Sequence, residues 1–119
     1  MDILFKIERF GMILFNLYRS FKYRSVDAIA KDAWSRMDEA DKQDIRNLHN
    51  KQDMIRYHSF AGRWIRNFYG LWNPKNRLTR KYFIDGDKFV RNGINYHPDH
   101  PDAVSQRVLD RIWEIANAK

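Results

Sequence analysis

Histidine and aspartate, side chains that bind divalent metals, are concentrated near the end of the chain as His97, Asp99, His100 and Asp102. No His-x-x-x-His pair on a predicted helix accompanies them. The repeated His-Pro-Asp sequence also begins a helix well, because proline presets the first turn and aspartate favours its positive end. We therefore expect a helix start here and no metal ion. A metal-dependent activity of His97 and His100 together with His58 is the alternative.

An enzyme would need a catalytic group with supporting partners, and the sequence offers few. Neither Ser59 nor Ser105 lies in a nucleophile motif. No glycine-rich loop is present to hold a phosphate, and a chain without cysteine has no thiolate. The acids from Asp38 to Asp44 fall on one short polar helix, where they are expected to face water. The sequence therefore predicts a non-enzymatic protein without a cofactor.

A basic and aromatic stretch over residues 63–91 is the other candidate for chemistry. The net charge is +7, and the excess bases lie in the first helix and in residues 56–91. A basic surface attracts polyanions and acidic partners. We predict a binding surface formed by these residues: Arg63, Arg66, Trp72, Lys75, Arg77, Arg80, Lys81, Lys88 and Arg91.

Two kinds of partner fit this surface. We expect an interaction protein that binds another protein with an acidic surface. The alternative is a nucleic acid, since bases neutralise phosphates and aromatic rings stack on unpaired nucleotides. No named nucleic-acid module matches, which favours the protein partner.

The elements that position these residues are predicted to be helical, in an all-α fold of about five helices around a single core. Helices are expected over residues 2–23, from Ser25, from Asp38, over residues 50–69, and from Pro101. A basic loop before the last helix contains two turn dipeptides, ending at Gly86 and Gly93, and is either irregular or a β-hairpin.

Helix periodicity assigns Trp64 and Trp113 to the core. Gly62 would weaken a helix, so we expect it to allow close approach of another backbone. Gly70 is expected to end the helix, and Asn67 in its last turn can bond to loop carbonyls. This block either fastens the helix to its loop or presents a recognition surface.

The first predicted helix, residues 1–24, carries a stripe of six apolar residues at helical spacing: Ile3, Ile7, Phe10, Leu14, Leu17 and Phe21. We expect this helix to dock on the domain formed by residues 25–119. Pairing with a second copy, as a homodimer, and contact with a membrane surface remain open. No apolar run reaches the length of a membrane span, no export signal is recognisable, and there is no cysteine, so a cytoplasmic location is expected.

Two blocks of the sequence form a recognisable pattern. The first is a helix carrying these residues: His58, Gly62, Trp64, Ile65, Arg66, Asn67, Gly70, Leu71 and Trp72. The second contains these: His100, Pro101, Asp102, Ser105 and Trp113. Over residues 25–114 the chain resembles a family of small bacterial and phage proteins classed only as a domain of unknown function. The resemblance brings no known activity, and by analogy alone it suggests an inhibitor or immunity-type role.

Overall fold

A computed structural model of the protein describes residues 17–118, which are mostly helical. Counting α- and 3-10 helices together, there are more helical segments than the five predicted. The α-helices span Val26–Arg36 (α1), Glu39–Arg46 (α2), Ala61–Phe68 (α3), Arg80–Asp85 (α4) and Pro101–Ala116 (α5). Two 3-10 helices span Lys51–Tyr57 and Gly86–Phe89, and two strands span Val90–Arg91 (β1) and Ile94–Asn95 (β2). Residues 17–22 are also helical.

The starts of α1 and α2 are fixed by side-chain caps. The Ser25 hydroxyl accepts a hydrogen bond from the backbone N–H of Ala28 at 3.0 Å. The Asp38 carboxylate accepts one from the N–H of Asp41 at 2.8 Å. Each bond satisfies a donor that the first turn leaves without a partner. Both predicted helix starts are therefore confirmed.

The continuous helix predicted over residues 50–69 is wrong. Residues Lys51–Tyr57 form a 3-10 helix, and a turn at residues 58–60 separates it from α3. Asn50 precedes the 3-10 helix but makes no side-chain cap bond. Because 3-10 and α-helices repeat every three to four residues, an apolar pattern of that spacing does not distinguish them.

The break at residues 58–60 changes which face of α3 is buried. Gly62, Ile65 and Tyr69 are buried, whereas Trp64 is 42% exposed. The prediction that Trp64 belongs to the core is therefore wrong. Its ring instead stacks on that of Phe68 on the outer side of α3, with ring centroids 4.6 Å apart.

Helix α5 packs against α1, α2, α3 and the first 3-10 helix, and it forms the middle of the core. The buried apolar residues of this core are Ile29, Ala30, Ala33, Ile45, Met54, Ile65, Tyr69, Leu71, Val104, Val108, Leu109 and Ile112. Burying one of the larger aliphatic side chains stabilises the fold by about 1.5–3 kcal/mol. The helix periodicity of α5 thus accounts for its central place.

A polar network joins α1 to the end of α3. The Asp32 carboxylate accepts hydrogen bonds from the Tyr69 hydroxyl at 2.6 Å, the Tyr23 hydroxyl at 2.9 Å and the Arg36 Nε at 2.8 Å. Burial alone would raise the pKa of Asp32, but the hydrogen bonds from Tyr69, Arg36 and Tyr23 outweigh it and lower the pKa. The pKa of Tyr69 is raised, mainly by burial of its hydroxyl and secondly by the hydrogen bond to Asp32.

The basic loop contains a β-hairpin, which was one of its two predicted forms. Strands β1 and β2 pair antiparallel, with Arg91 opposite Ile94. Asn92 and Gly93 have φ angles of 52° and 76°. Two consecutive left-handed residues are what a two-residue hairpin turn requires.

Helical residues 17–22 contact the rest of the chain through polar side chains. Arg19 Nε donates to the carbonyl of Phe68 at 2.7 Å, and its guanidinium lies 3.7 Å from the centre of the Phe68 ring. Ser20 is buried beside Asn76. Docking of the whole first helix stays a prediction, because residues 1–16 lie outside the described residues. None of the described helices is long and apolar enough to cross a membrane.

Candidate functional site

Arg66, predicted to face a partner, is buried and bonded within the protein. It is only 8% exposed. Its Nη1 donates to the Ser105 hydroxyl at 2.8 Å, and its Nε lies 3.3 Å from a carboxylate oxygen of Asp102. Ser105 in turn donates to the carbonyl of Asp102 at 3.0 Å. Arg66 therefore joins α3 to the first turn of α5 and does not belong to the binding surface.

The sequence predicts that Gly62 makes room for another backbone. Gly62 instead makes room for the guanidinium of Arg66. A Cβ atom on Gly62 would lie 2.9 Å from Arg66 Nη1 and 3.7 Å from the Ser105 hydroxyl. Such a contact is closer than van der Waals packing allows, so the guanidinium would have to move. The absence of a side chain at position 62 is what lets Arg66 reach Ser105.

The remaining residues of the first block connect α3 to its surroundings. Gly70 has a φ of 66°, and the N–H of Leu71 donates to the carbonyl of Arg66 at 2.9 Å, which confirms the predicted glycine end of the helix. His58 Nδ1 lies 3.3 Å from the amide oxygen of Gln106 on α5. The block thus fastens α3 to both the following loop and α5.

Trp113 contacts the core more closely than Trp64 does. It is partly buried on α5, and its Nε1 donates to the carbonyl of Leu48 at 3.1 Å. This bond satisfies a carbonyl just after α2. Trp113 therefore lies at the boundary of the core. Asn67, another residue of the first block, lies on the exposed side of α3.

The two His-Pro-Asp copies form the same local bond twice. His97 Nδ1 accepts from the N–H of Asp99, and His100 Nδ1 accepts from the N–H of Asp102, both at 3.0 Å. The second copy begins α5 with Pro101 as its first residue, which confirms the predicted helix start. Burial lowers the pKa of His100. Within residues 17–118, no three His, Asp or Glu side chains are arranged to hold a metal ion.

His97 anchors the hairpin segment (residues 84–96), a role that the sequence did not reveal. It is buried, and its Nε2 lies 2.8 Å from the carboxylate of Asp85 at the end of α4. Because Nδ1 accepts a bond, Nε2 carries the proton and donates to Asp85, and this hydrogen bond lowers the pKa of Asp85. The rings of Phe89 and Tyr82 contact the imidazole edge-on, at 4.5 and 5.8 Å between centroids. The sequence did contain one indication of a separate role for His97: the first His-Pro-Asp copy does not begin a helix, whereas the second copy begins α5.

The other predicted binding residues are exposed. We define the basic surface by six of them, which follow α3 along the chain: Lys75, Arg77, Arg80, Lys81, Lys88 and Arg91. Arg63 is exposed on α3, and Trp72 is 46% exposed with its ring against the edge of His100 at 5.5 Å. The structure therefore leaves eight of the nine predicted residues accessible.

Positive charge on the basic surface is largely uncompensated. Among the described residues, only Lys88 of the six has a carboxylate within ion-pair distance, at 3.9 Å from Asp85. Of the thirteen other bases in residues 17–118, seven are within ion-pair distance of a carboxylate, as Arg46 is of Glu39 at 2.7 Å and Arg111 of Asp27 at 2.7 Å. An unpaired cluster of this kind produces a positive potential that attracts an anionic partner.

The same segment exposes large apolar side chains that the sequence analysis did not assign to the site. They are Ile84, Phe89, Val90, Ile94 and Tyr96, and their exposed fractions range from 40% to 79%. Arg91 and Ile94 are direct partners across the hairpin, so a base and an aliphatic side chain lie side by side. Exposed apolar residues beside polar ones are typical of protein interfaces.

Residues 34–115 match the family described as a domain of unknown function (DUF6794). The chain belongs to this family. The matched region of the DUF6794 domain includes the bonds of Arg66, the His97 anchor and the whole basic surface. No curated protein and no solved structure matches the chain.

The DUF6794 domain also has an apolar groove of about 740 Å³ on the side of α3 away from Arg66. Its walls include Phe60, Trp64, Ile65, Met37 and Tyr57. Phe60 is 89% exposed at its edge. The rim carries both bases and acids, so the groove does not share the single sign of charge of the basic surface.

Proposed function

We propose that the protein is a non-enzymatic interaction protein that binds the acidic surface of another protein. The observation that carries the proposal is the basic surface, where five of six bases have no described carboxylate within ion-pair distance. Such a surface increases the rate of association with an acidic partner and fixes its orientation. The resemblance to bacterial and phage proteins suggests an inhibitor or immunity-type role.

A protein partner is favoured over a nucleic acid by the exposed aliphatic residues. Ile84 is 79% exposed, and Ile94 is 54% exposed beside Arg91. Aliphatic side chains do not stack on nucleotides, whereas they pack well in the centre of a protein interface. We also propose a cytoplasmic location, which the absence of cysteine supports.

The test is capture of partners from a lysate of the producing cells, with and without nuclease. We expect a nuclease-resistant protein partner, whose affinity is then measured for the triple variant Arg77→Glu, Arg80→Glu and Lys81→Glu. The variant should bind at least tenfold more weakly, roughly what the loss of a few close charge pairs removes. Its melting curve should stay near that of the wild type, because all three side chains are exposed.

A matched control reverses three bases outside the basic surface, Lys31, Lys42 and Arg56, and so changes the net charge by the same amount. It should keep most of the affinity. Equal losses in both variants would show a non-specific charge effect. Binding that is lost with nuclease and falls steeply with salt would instead support the nucleic-acid alternative.

A further inference from the structure

Residues 17–23 contact the domain through the side opposite to Leu17 and Phe21. Arg19 bonds to the carbonyl of Phe68, Ser20 is buried, and Tyr23 lies against the core. The stripe residues Leu17 and Phe21 are 43% and 54% exposed. The helix is therefore held by polar contacts while apolar side chains face outward.

The outward face consists of three large apolar side chains at the start of the described residues. Leu17 and Phe21 are the last two positions of the stripe predicted from the sequence. Tyr18, next to Leu17, is 60% exposed and widens the face. At these described positions the stripe does not pack on the core, so the face is available to another partner.

Charge distinguishes between two partners for this face. Residues 1–24 contain five bases and two acids, and the bases Lys22 and Arg24 are exposed beside Phe21. A second copy would bring the same positive charge close to the first, which opposes pairing. The phosphate groups of anionic lipids complement it, and each nearby base adds about 1 kcal/mol of attraction.

Lys22 directly follows Phe21 on the described part of the helix and is exposed. Apolar side chains on one face with bases beside them are characteristic of helices that lie in a membrane interface.

We propose that the outward face of the first helix, with Leu17, Tyr18 and Phe21, binds an anionic lipid surface. The helix lies in the plane of the interface with these side chains among the acyl chains, and Lys22 and Arg24 contact lipid phosphates. This inference goes beyond the proposed function and does not depend on it, because it uses none of the six bases of the basic surface.

The experiment is co-sedimentation of the full chain with vesicles of pure phosphatidylcholine and of an equimolar phosphatidylcholine–phosphatidylserine mixture. We expect stronger binding to the mixture. The double variant Leu17→Ser/Phe21→Ser should bind at least about tenfold more weakly, since it removes two apolar side chains that would be buried among the acyl chains. Lys22→Glu/Arg24→Glu should lose binding to the mixture in particular.

Two controls separate this proposal from other effects. Ile55→Ser removes an apolar residue that is 60% exposed on the first 3-10 helix, and it should bind vesicles like the wild type. The triple variant of the basic surface should also keep vesicle binding, so failure of the proposed function would leave this result intact. Melting curves confirm that each variant is folded.

Several outcomes would overturn the proposal. One is a wild-type protein that sediments with neither kind of vesicle, and another is unchanged binding in Leu17→Ser/Phe21→Ser. A third is a light-scattering mass of two chains that falls to one chain in that variant, which would assign the face to a second copy. Loss of sedimentation only in the basic-surface variant would assign the lipid contact to the basic surface.

Discussion

Replacing Gly62 by alanine is expected to destabilise the protein, although alanine favours a helix. Gly62 is the second residue of α3, so the exchange alone would stabilise by at most the helix-interior value of about 0.8–1.0 kcal/mol. The new Cβ would lie 2.9 Å from Arg66 Nη1, so the guanidinium would have to shift, and we expect the shift to weaken its bond to the Ser105 hydroxyl. Complete loss of that bond would remove about 1.5–3 kcal/mol, the contribution of a hydrogen bond to a charged group. The net loss is then about 0.5–2 kcal/mol, or a fall in Tm of about 2–8 °C.

The sign of the effect should depend on Arg66. In an Arg66→Met background the long side chain remains but has no hydrogen bond to lose. Ser105 still donates to the carbonyl of Asp102 there, so its hydroxyl keeps a partner. Gly62→Ala should then stabilise the protein by up to about 1 kcal/mol, the helix propensity alone. Urea denaturation followed by circular dichroism gives all four free energies of unfolding and the coupling between the two sites.

Two results would refute this reasoning. If Gly62→Ala stabilises the wild-type background, the Arg66 guanidinium moves aside freely and its bond to Ser105 contributes little. If Gly62→Ala destabilises both backgrounds equally, the glycine is needed for some contact other than that with Arg66.

Further predictions concern the Asp32 network and the tryptophans. Tyr69→Phe should destabilise the protein by about 1.5–3 kcal/mol at neutral pH, because it removes a hydrogen bond to a charged group. The pKa of Asp32 is lowered in the folded state, so its stabilisation is present above about pH 3.9 and is lost as the pH falls through its folded pKa. The difference between wild type and Tyr69→Phe, measured by urea denaturation, should therefore shrink in acid. Trp113→Ala should destabilise by about 3 kcal/mol or more, since Trp113 contacts the core and bonds to Leu48. Trp64→Ala should remove only about 1–2 kcal/mol, mainly its exposed aromatic stacking.

The controls are as specific as the predictions. A Tyr69→Phe difference that stays constant from neutral pH to below the Asp32 pKa would contradict a charge-assisted bond. Equal losses for Trp64→Ala and Trp113→Ala in thermal melts would mean that Trp64 is a core residue after all.

Features fixed by neighbouring residues could be predicted from the sequence. The caps at Ser25 and Asp38, the glycine end at Gly70 and the helix start at Pro101 each depend on bonds within a few residues, and all four are present. The exposure of Trp64 could not be predicted, because its assignment to the core depended on a continuous helix from residue 50. The break at residues 58–60 shifts the helical phase, and one position of shift rotates a side chain by about 100°.

In the candidate site, too, features that depend on single residues could be predicted, whereas those that depend on distant partners could not. That the bases of the basic surface would be accessible followed from their charge, since unpaired bases are rarely buried. The burial of Arg66 was not visible, because its partners Ser105 and Asp102 are far away in sequence and become neighbours only when α3 packs on α5. The anchoring role of His97 depends in the same way on Asp85, which the hairpin brings back to it.

The His97 anchor affects how the hairpin segment can recognise a partner. A loop that is ordered only on binding loses conformational entropy at that moment, and this loss weakens the affinity. Here the imidazole already ties Asp85, Phe89 and the turn before α5 together in the free protein. Lys88 and Arg91, which lie between Asp85 and His97, are thus held in place before contact, so binding of the proposed partner can approach the docking of two rigid bodies.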